Sequence, residues 1–522
     1  MNQTSIDRDA LADWIIRRPL PIVLGLLCLA QLVTWIPHYL TWPYFVDHDV
    51  FATLAFEWDA GILPYRDAAA NNFPGTIYLH SILGRVFGWG RTAPMFAADA
   101  GLVLLLGVTS LVWSRRRFGR YLPGLVGYAA FLSYYLGLDH SLVAQRDWHA
   151  PLAIVLAIMA VEIWPGLAGF VGSALGFAVG FSIRPQVVLF LPALLFSVAG
   201  SQERSLRARA YSMAIWSALA GLFVVLAFVP ILSAGLWPDF VGRLKLVGLG
   251  SDYNQSTLGR IARELMLQGL HAESLVVPLL IGLFLKSTSS RTPMIWLLAL
   301  CGAWLYKPLS PVPWPYLAHP LMLVLAMNLS VLASLLLDAP RTPSTVRLAA
   351  VTLLLLAGGI TARPAYCSLS ATRLALVDRP AAGLPTTAPP GTLAQSIDPN
   401  QPPYAWDDYR AALLFLKTET RRSTRIANLL RMSAPLTGPS ARRSALPAES
   451  LAWLVVKLDD ESAFARALSV PGDTLALWAP DETLPGDTRR LAPALRRLSE
   501  VVRAQYHPVA RFGRIEVWQR NP

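Results

Sequence analysis

Eleven apolar runs, most of them close to 20 residues long, limit what this chain can fold into. They fall near 19–37, 93–113, 120–138, 150–164, 166–183, 186–200, 211–235, 273–286, 293–306, 316–337 and 345–362. A helix needs about 20 such residues to cross the hydrocarbon of a bilayer. Within that layer every backbone N–H and C=O must be satisfied by the segment itself or by a closed barrel. Long unbroken apolar runs satisfy this as helices, so the fold class is a polytopic α-helical membrane protein. Only 15% of the 522 residues are charged and 54% are hydrophobic, where a soluble domain has about a quarter charged. The first run follows Arg17-Arg18 and ends in TWIPHYL with no small-residue cleavage site. It therefore reads as an uncleaved anchor.

The net charge of +12 sits mostly in short loops, which is how orientation charges are placed and is no sign of a nucleic-acid partner. The basic loops are RRRFGR (115–120), SQERSLRARA (201–210), KSTSSR (286–291) and DAPRTPSTVR (338–347). They share one side of the membrane if the N-terminus is cytoplasmic and 75–92 lies flat on the outer surface rather than crossing. The expected topology is then about 11 spanning helices within 1–362. Segments 38–92, 139–149, 184–185, 236–272 and 307–315 lie outside, as does everything after about 363.

The tail differs in kind. Residues 378–403 hold seven prolines, so 363–403 reads as a linker. Beyond it, helix-like YRAALLFLKTET, ESAFARAL and LAPALRRLSEVVRAQY alternate with strand-like LAWLVVKL, TLALWAP and GRIEVWQR. This predicts a small extracytoplasmic α/β domain over 404–522. It carries no phosphate loop, nucleophile elbow or paired-histidine motif. Cys28, Cys301 and Cys367 have no paired spacing, which argues against a disulfide framework. Ala168, Gly172, Gly176 and Gly180 form a small-residue ridge that lets a neighbouring helix approach closely.

Chemistry concentrates in the first loop, YFVDHDVFATLAFEWDAGILPYRDAAANNFPG (44–75), where five carboxylates sit among aromatics. This stretch resembles the first outer loop of the GT-C glycosyltransferases, polytopic enzymes that use polyprenyl-phosphate sugars, and among them the family-39 and RgtA/B/C/D-like proteins. The residues that carry the resemblance are DHD at 47–49, GILPYRD at 61–67, NNFPG at 71–75 and the surface helix after them. The resemblance implies that Asp47, 14 residues before Gly61, is the catalytic base, with Asp49 a supporting acid. In the family the second acid directly follows the first, whereas here His48 intervenes. By the same resemblance Arg146 and Asp147 of DHSLVAQRDWHAP (139–151) occupy the place of a second functional cluster.

The chemistry agrees with that implication. Transfer from a lipid-phosphate sugar needs a carboxylate to take the acceptor's proton and fixed positive charge beside the leaving phosphate. Arg184, between two apolar helices, Lys307 and His319 are candidate phosphate or headgroup contacts, because a charge next to hydrocarbon requires an anionic partner. Arg66 and Asp67 are either substrate-binding or a structural ion pair. Glu57 and Asp59 read as solvated or paired with Arg66, and Asp99 as a structural acid paired with an arginine. No residues are spaced as metal ligands, although carboxylates alone can hold a divalent cation.

The leading function is thus an inverting glycosyltransferase of the plasma membrane, with a polyprenyl-phosphate sugar as donor and a lipid, glycan or protein as acceptor. Membrane lipids surround it. The alternative is a transporter or flippase of lipid-linked sugars, which would bind near the bilayer midplane between paired halves. No half-to-half repeat is visible. A third reading, a non-catalytic assembly subunit, leaves Asp47 and Arg146 without a role.

Overall fold

The computed structural model describes residues 8–68, 70, 72–138, 140–200, 205–249, 259, 261–263, 291–310, 315–338, 342–360, 404–430, 436–446, 461–479 and 500–522. The apolar run at 273–286, the linker, the strand-like 451–458, most of the helix-like 491–506, Asp139 and most of 250–272 lie outside these residues.

The membrane region is helical. Its elements are α1 (Arg8–Arg17), α2 (Pro19–Tyr39), α3 (Val46–Asp59), α4 (Gly75–Phe87), α5 (Ala93–Phe118), α6 (Leu122–Tyr135), α7 (Arg146–Ile163) and α8 (Leu167–Ile183). A 3-10 turn at Pro185–Phe190 leads into α9 (Leu191–Ala199), followed by α10 (Leu206–Ser233), α11 (Trp237–Leu249), α12 (Arg291–Tyr306), α13 (His319–Leu337) and α14 (Ser344–Ile360). Local chemistry sets several of the boundaries. Proline stands in the first turn of α2, α5, α6, α9 and α13, where its missing N–H costs nothing. Gly119 ends α5 at φ +70 and donates its N–H to the Arg115 carbonyl, a left-handed cap that glycine enters without strain.

Among the described residues four helical segments are long and apolar enough to cross a membrane: Arg8–Tyr39, Ala93–Phe118, Leu206–Ser233 and Tyr316–Leu337. The other predicted runs, apart from 273–286, fall on shorter helices. The small-residue ridge works as expected, because a Cβ at Gly176 or Gly180 would come within 2.8 Å of the Ala153 carbonyl oxygen or 2.9 Å of the Ala150 carbonyl oxygen on α7. Gly127 plays the same part between α6 and α13, facing the Ala326 carbonyl. At one end of the bundle the Glu162 carboxylate accepts from the indoles of Trp113 (2.8 Å) and Trp296 (3.1 Å) and from the Thr292 hydroxyl (2.6 Å), joining α5, α7 and α12.

After residue 404 come α15 (Trp406–Thr418), β1 (Arg425–Asn428), α16 (Thr437–Ser440), β2 (Arg443–Ser444), α17 (Glu461–Ser469), β3 (Thr474–Trp478), β4 (Tyr506–Phe512) and β5 (Ile515–Arg520). The strands form one mixed sheet in the order β2-β1-β3-β5-β4. β1 lies parallel to β2 and β3, and β5 runs antiparallel to β3 and β4. β3 and β5 fall on the predicted TLALWAP and GRIEVWQR. β1 and β4 were not legible as strands: β1 spans only four residues, and β4 contains Pro508, where the register shifts.

This α/β unit rests on the first loop. The Lys417 ammonium donates to the Gly90 carbonyl at 2.7 Å, the Ser444 N–H donates to Glu57 at 2.8 Å, and the Gly438 N–H donates to Asp49 at 2.6 Å.

Candidate functional site

A nest of aromatic rings lies where α2, α5, α6 and α7 converge. Trp35 stacks on Tyr39 with ring centres 4.0 Å apart, and Phe131 stacks on Trp148 at 4.8 Å. Asp99 sits fully buried in this nest. A carboxylate in such surroundings is very costly unless hydrogen-bonded. Among the described residues Asp99 has no arginine partner, contrary to the sequence expectation. Its oxygens accept instead from Tyr39 (2.8 Å), Tyr135 (2.7 Å), the Trp148 indole (2.9 Å) and His149 (2.7 Å).

Tyr135 in turn accepts the Ala144 N–H at 3.0 Å. Ala144 has φ +54, a left-handed conformation that an alanine keeps only when its surroundings enforce it. Its carbonyl meets His48 Nε2 at 3.1 Å, while His48 Nδ1 accepts the Phe45 N–H at 3.3 Å. These partners set the tautomer: His48 is neutral and protonated on Nε2. Burial, the largest influence, pushes its pKa down. The Asp99 nest therefore reaches His48, next to Asp47, and the Ala144-Gln145 turn that leads into Arg146.

Asp47 stands in the first turn of α3, where the helix dipole favours an acid. It is half-buried, and its Oδ2 has no hydrogen-bond partner among the described residues. Arg146, at the start of α7, is similar: its Nε and Nη1 are buried without hydrogen-bond partners among the described residues, and its guanidinium lies over the Phe51 ring at 5.3 Å. Asp147 is fully buried. It accepts from Arg184 Nη2 at 2.7 Å and from the Tyr306 hydroxyl at 3.0 Å, with Arg146 Nε at 3.8 Å. Phe51, one turn of α3 from Asp47, lies under the Arg146 guanidinium, and Arg146 and Arg184 meet at Asp147. Lys307 directly follows Tyr306 at the end of α12. Four of the sequence-predicted residues are thus gathered at one end of the bundle.

The remaining candidates lie elsewhere or are already engaged. Asp49 is buried against the α/β unit, its Oδ1 taken by Gly438. Burial pushes its carboxyl up to about 7 against the pull of the Gly438 and Thr437 N–H donors, and burial likewise pushes Glu57 up to about 7. That value suits acid–base work, but the Asp49 oxygen has a partner in the protein. Arg66 does not pair with Asp67, Glu57 or Asp59. It binds Asp239 (2.9 Å) and the Gly235 carbonyl (2.8 Å) at the start of α11. Asp67 closes its own turn by accepting the Leu63 N–H at 2.9 Å, and Asp59 pairs with Arg85 at 2.7 Å. His319 uses both ring nitrogens, one to the Tyr134 hydroxyl (2.6 Å) and one to the Leu142 carbonyl (2.7 Å). Among the described residues no group of three or more His, Cys, Asp or Glu side chains is placed to hold a metal ion.

Sequence reasoning missed Tyr306 and Phe51 as parts of the cluster. The only signal was the aromatic, proline-rich turn that begins at Tyr306. It also gave 236–272 no role, whereas α11 pins the PYRD turn through Asp239 and through Arg243, which donates to the Tyr65 carbonyl at 3.0 Å.

The arrangement belongs to a known architecture. The chain superposes on the crystal structure of ArnT from Cupriavidus metallidurans bound to undecaprenyl phosphate with a TM-score of 0.55. The two share 13% identity over 95% of this chain and 97% of that one. The apo-state structure of the same protein gives a TM-score of 0.56 and 14% identity, covering 98% of each chain. No family model and no curated protein sequence matches the chain. At such identities the likeness defines the fold alone: the chain has the fold of ArnT, with helices long and apolar enough to cross a membrane.

Proposed function

We propose that the protein is an inverting glycosyltransferase that moves a sugar from a polyprenyl-phosphate donor to an acceptor hydroxyl on a lipid, glycan or protein. One observation carries this reading: a carboxylate oxygen of Asp47 and two guanidinium nitrogens of Arg146 are buried without hydrogen-bond partners among the described residues, and Phe51, one helical turn from Asp47, lies under that guanidinium. Buried polar atoms of this kind are ordinarily satisfied, so a ligand that accepts from the arginine and donates to the carboxylate fits them. A phosphate bearing a sugar, approached by a hydroxyl, has both properties. ArnT, which shares this fold, was solved bound to undecaprenyl phosphate, which supports a polyprenyl-phosphate lipid as partner.

In the reaction Asp47 takes the proton of the incoming hydroxyl as its oxygen attacks the anomeric carbon. The bond to the phosphate oxygen breaks on the opposite face of the sugar, so a single displacement inverts the configuration. Arg146 faces the charge that grows on the leaving phosphate. Asp147, neutralised by Arg184, keeps the cluster from being purely cationic.

In a strain lacking the protein, mass spectrometry of lipid-linked sugars and surface glycoconjugates is expected to show a polyprenyl-phosphate sugar accumulating and one glycoconjugate lacking one sugar. Wild type reverses both, and the Asp47→Asn protein reverses neither. A flippase would tolerate Asp47→Asn, and unchanged glycoconjugates would refute the enzyme reading.

The chemistry belongs on the outer face. Eleven spanning helices, a cytoplasmic N-terminus and an outer α/β unit place every strongly basic short loop inside. On α4, Ile82, Val86 and Phe87 are exposed together, as on a helix lying in the membrane interface. A topology reporter fused after residue 522 should be active only outside, and activity confined to the cytoplasm would reverse the orientation.

A further inference from the structure

We propose that Asp49 is a positioning residue: through it the C-terminal α/β unit grips α3 and so sets the aim of Asp47. The proposal rests on the transferase reading above. Two residues along a helix turn side chains about 200° apart, so when Asp49 faces the α/β unit, Asp47 is turned the other way. Asp49 Oδ1 accepts the Gly438 N–H at 2.6 Å, and the Thr437 N–H also bonds this carboxylate. Eight residues further along α3, Glu57 accepts the Ser444 N–H at 2.8 Å. α3 is therefore held to the α/β unit at both ends, by backbone donors whose positions are fixed by the turn that contains them.

The fit at Gly438 is close. A Cβ there would lie 2.8 Å from Asp49 Oδ1, 3.0 Å from Ala52 Cβ and 3.1 Å from the Asp49 carbonyl oxygen. On its other side α3 carries groups that face the site. His48 is tied to Ala144, and Phe51 lies beneath the Arg146 guanidinium. A small rotation of α3 thus re-aims the candidate base, while Arg146 keeps its place at the start of α7. Displacement of a reacting group by about 1 Å can cost 10²-fold in rate, so the α/β unit contributes to turnover without touching substrate.

The test uses the full-length chain with a purified polyprenyl-phosphate sugar donor, reading transfer rate against donor concentration and, separately, donor binding. Asn at 49 keeps an oxygen for the Gly438 N–H, so Asp49→Asn should retain most of the wild-type rate. Asp49→Ala removes that oxygen and Gly438→Ala pushes it away. Each should lower kcat about tenfold or more, with donor KM and donor binding unchanged because the arginine cluster is untouched.

An Asp49→Asn protein as inactive as Asp47→Asn would overturn the proposal in favour of a chemical role. Wild-type turnover in both Asp49→Ala and Gly438→Ala would overturn it in favour of no role. Loss of donor binding along with turnover would mark a folding defect and overturn it as well. The transferase reading fails by a different result, in which Asp47→Asn transfers as fast as wild type.

Discussion

Asp47→Asn should lower the rate of sugar transfer by roughly 10²-fold or more while leaving the affinity for the donor lipid largely intact. The substitution keeps the size of the side chain and removes its capacity to take a proton. Nothing else in the cluster can replace it. Asp147, the nearest carboxylate in sequence on the α7 side, is fully buried and engaged by Arg184 and Tyr306, and Asp49 is engaged by Gly438. On the transferase reading donor affinity rests on Arg146, so the loss should appear in kcat. Single-turnover transfer by purified wild-type and variant proteins, with donor binding measured alongside, checks this. An equal fall in donor binding would make Asp47 a ligand for the donor rather than the base.

The two arginines of the cluster should respond differently to alanine. Arg146 has buried donors without hydrogen-bond partners among the described residues, so on the transferase reading Arg146→Ala removes a charge-assisted bond to the phosphate. Such bonds contribute about 1.5–3 kcal/mol, which corresponds to donor binding weaker by roughly 10- to 100-fold. Lysine should restore only part, because an ammonium lacks the guanidinium fork and its weaker fit over the Phe51 face. Arg184 is already committed to Asp147, and both side chains are largely buried. Arg184→Ala leaves that carboxylate short of its main countercharge, a change that typically costs about 3–5 kcal/mol. Its first consequence should be a lower Tm in detergent. Replacing Asp147 by Asn in the same chain should recover part of the loss, since the uncompensated charge is then gone. An Arg184→Ala protein with unchanged Tm and weakened donor binding would move Arg184 into the phosphate site.

Legibility in this chain follows the range of the interaction. The apolar helices of the membrane region were readable because each is specified by its own residues, an unbroken apolar run, a proline in the first turn, or a glycine at the end of α5, whereas α1 and α11 lie outside the predicted runs. The close approach of α7 and α8 was readable from the spacing of Gly172, Gly176 and Gly180 on one helix. Asp47 and Arg146 stood out because a base near a lipid headgroup and a cation near its phosphate are chemical requirements that a local motif can display. The GT-C-like first loop is likewise a short, continuous pattern.

The partners of each charge were not readable, and tertiary structure alone decided them. Asp47 and Asp49 are nearly identical in sequence context, yet Asp47 keeps a buried oxygen without a hydrogen-bond partner among the described residues while Asp49 meets Gly438, 389 positions away. Asp99 was expected to pair with an arginine and is instead held by Tyr39, Tyr135, Trp148 and His149, brought in from α2, α6 and α7. Arg66 found Asp239 rather than an acid of its own loop. Apolar burial is non-directional and roughly additive along a segment, so hydrophobic pattern reports it residue by residue. A hydrogen bond or ion pair forms only where donor and acceptor arrive within about 3 Å at the right angle, and that meeting depends on how distant segments pack.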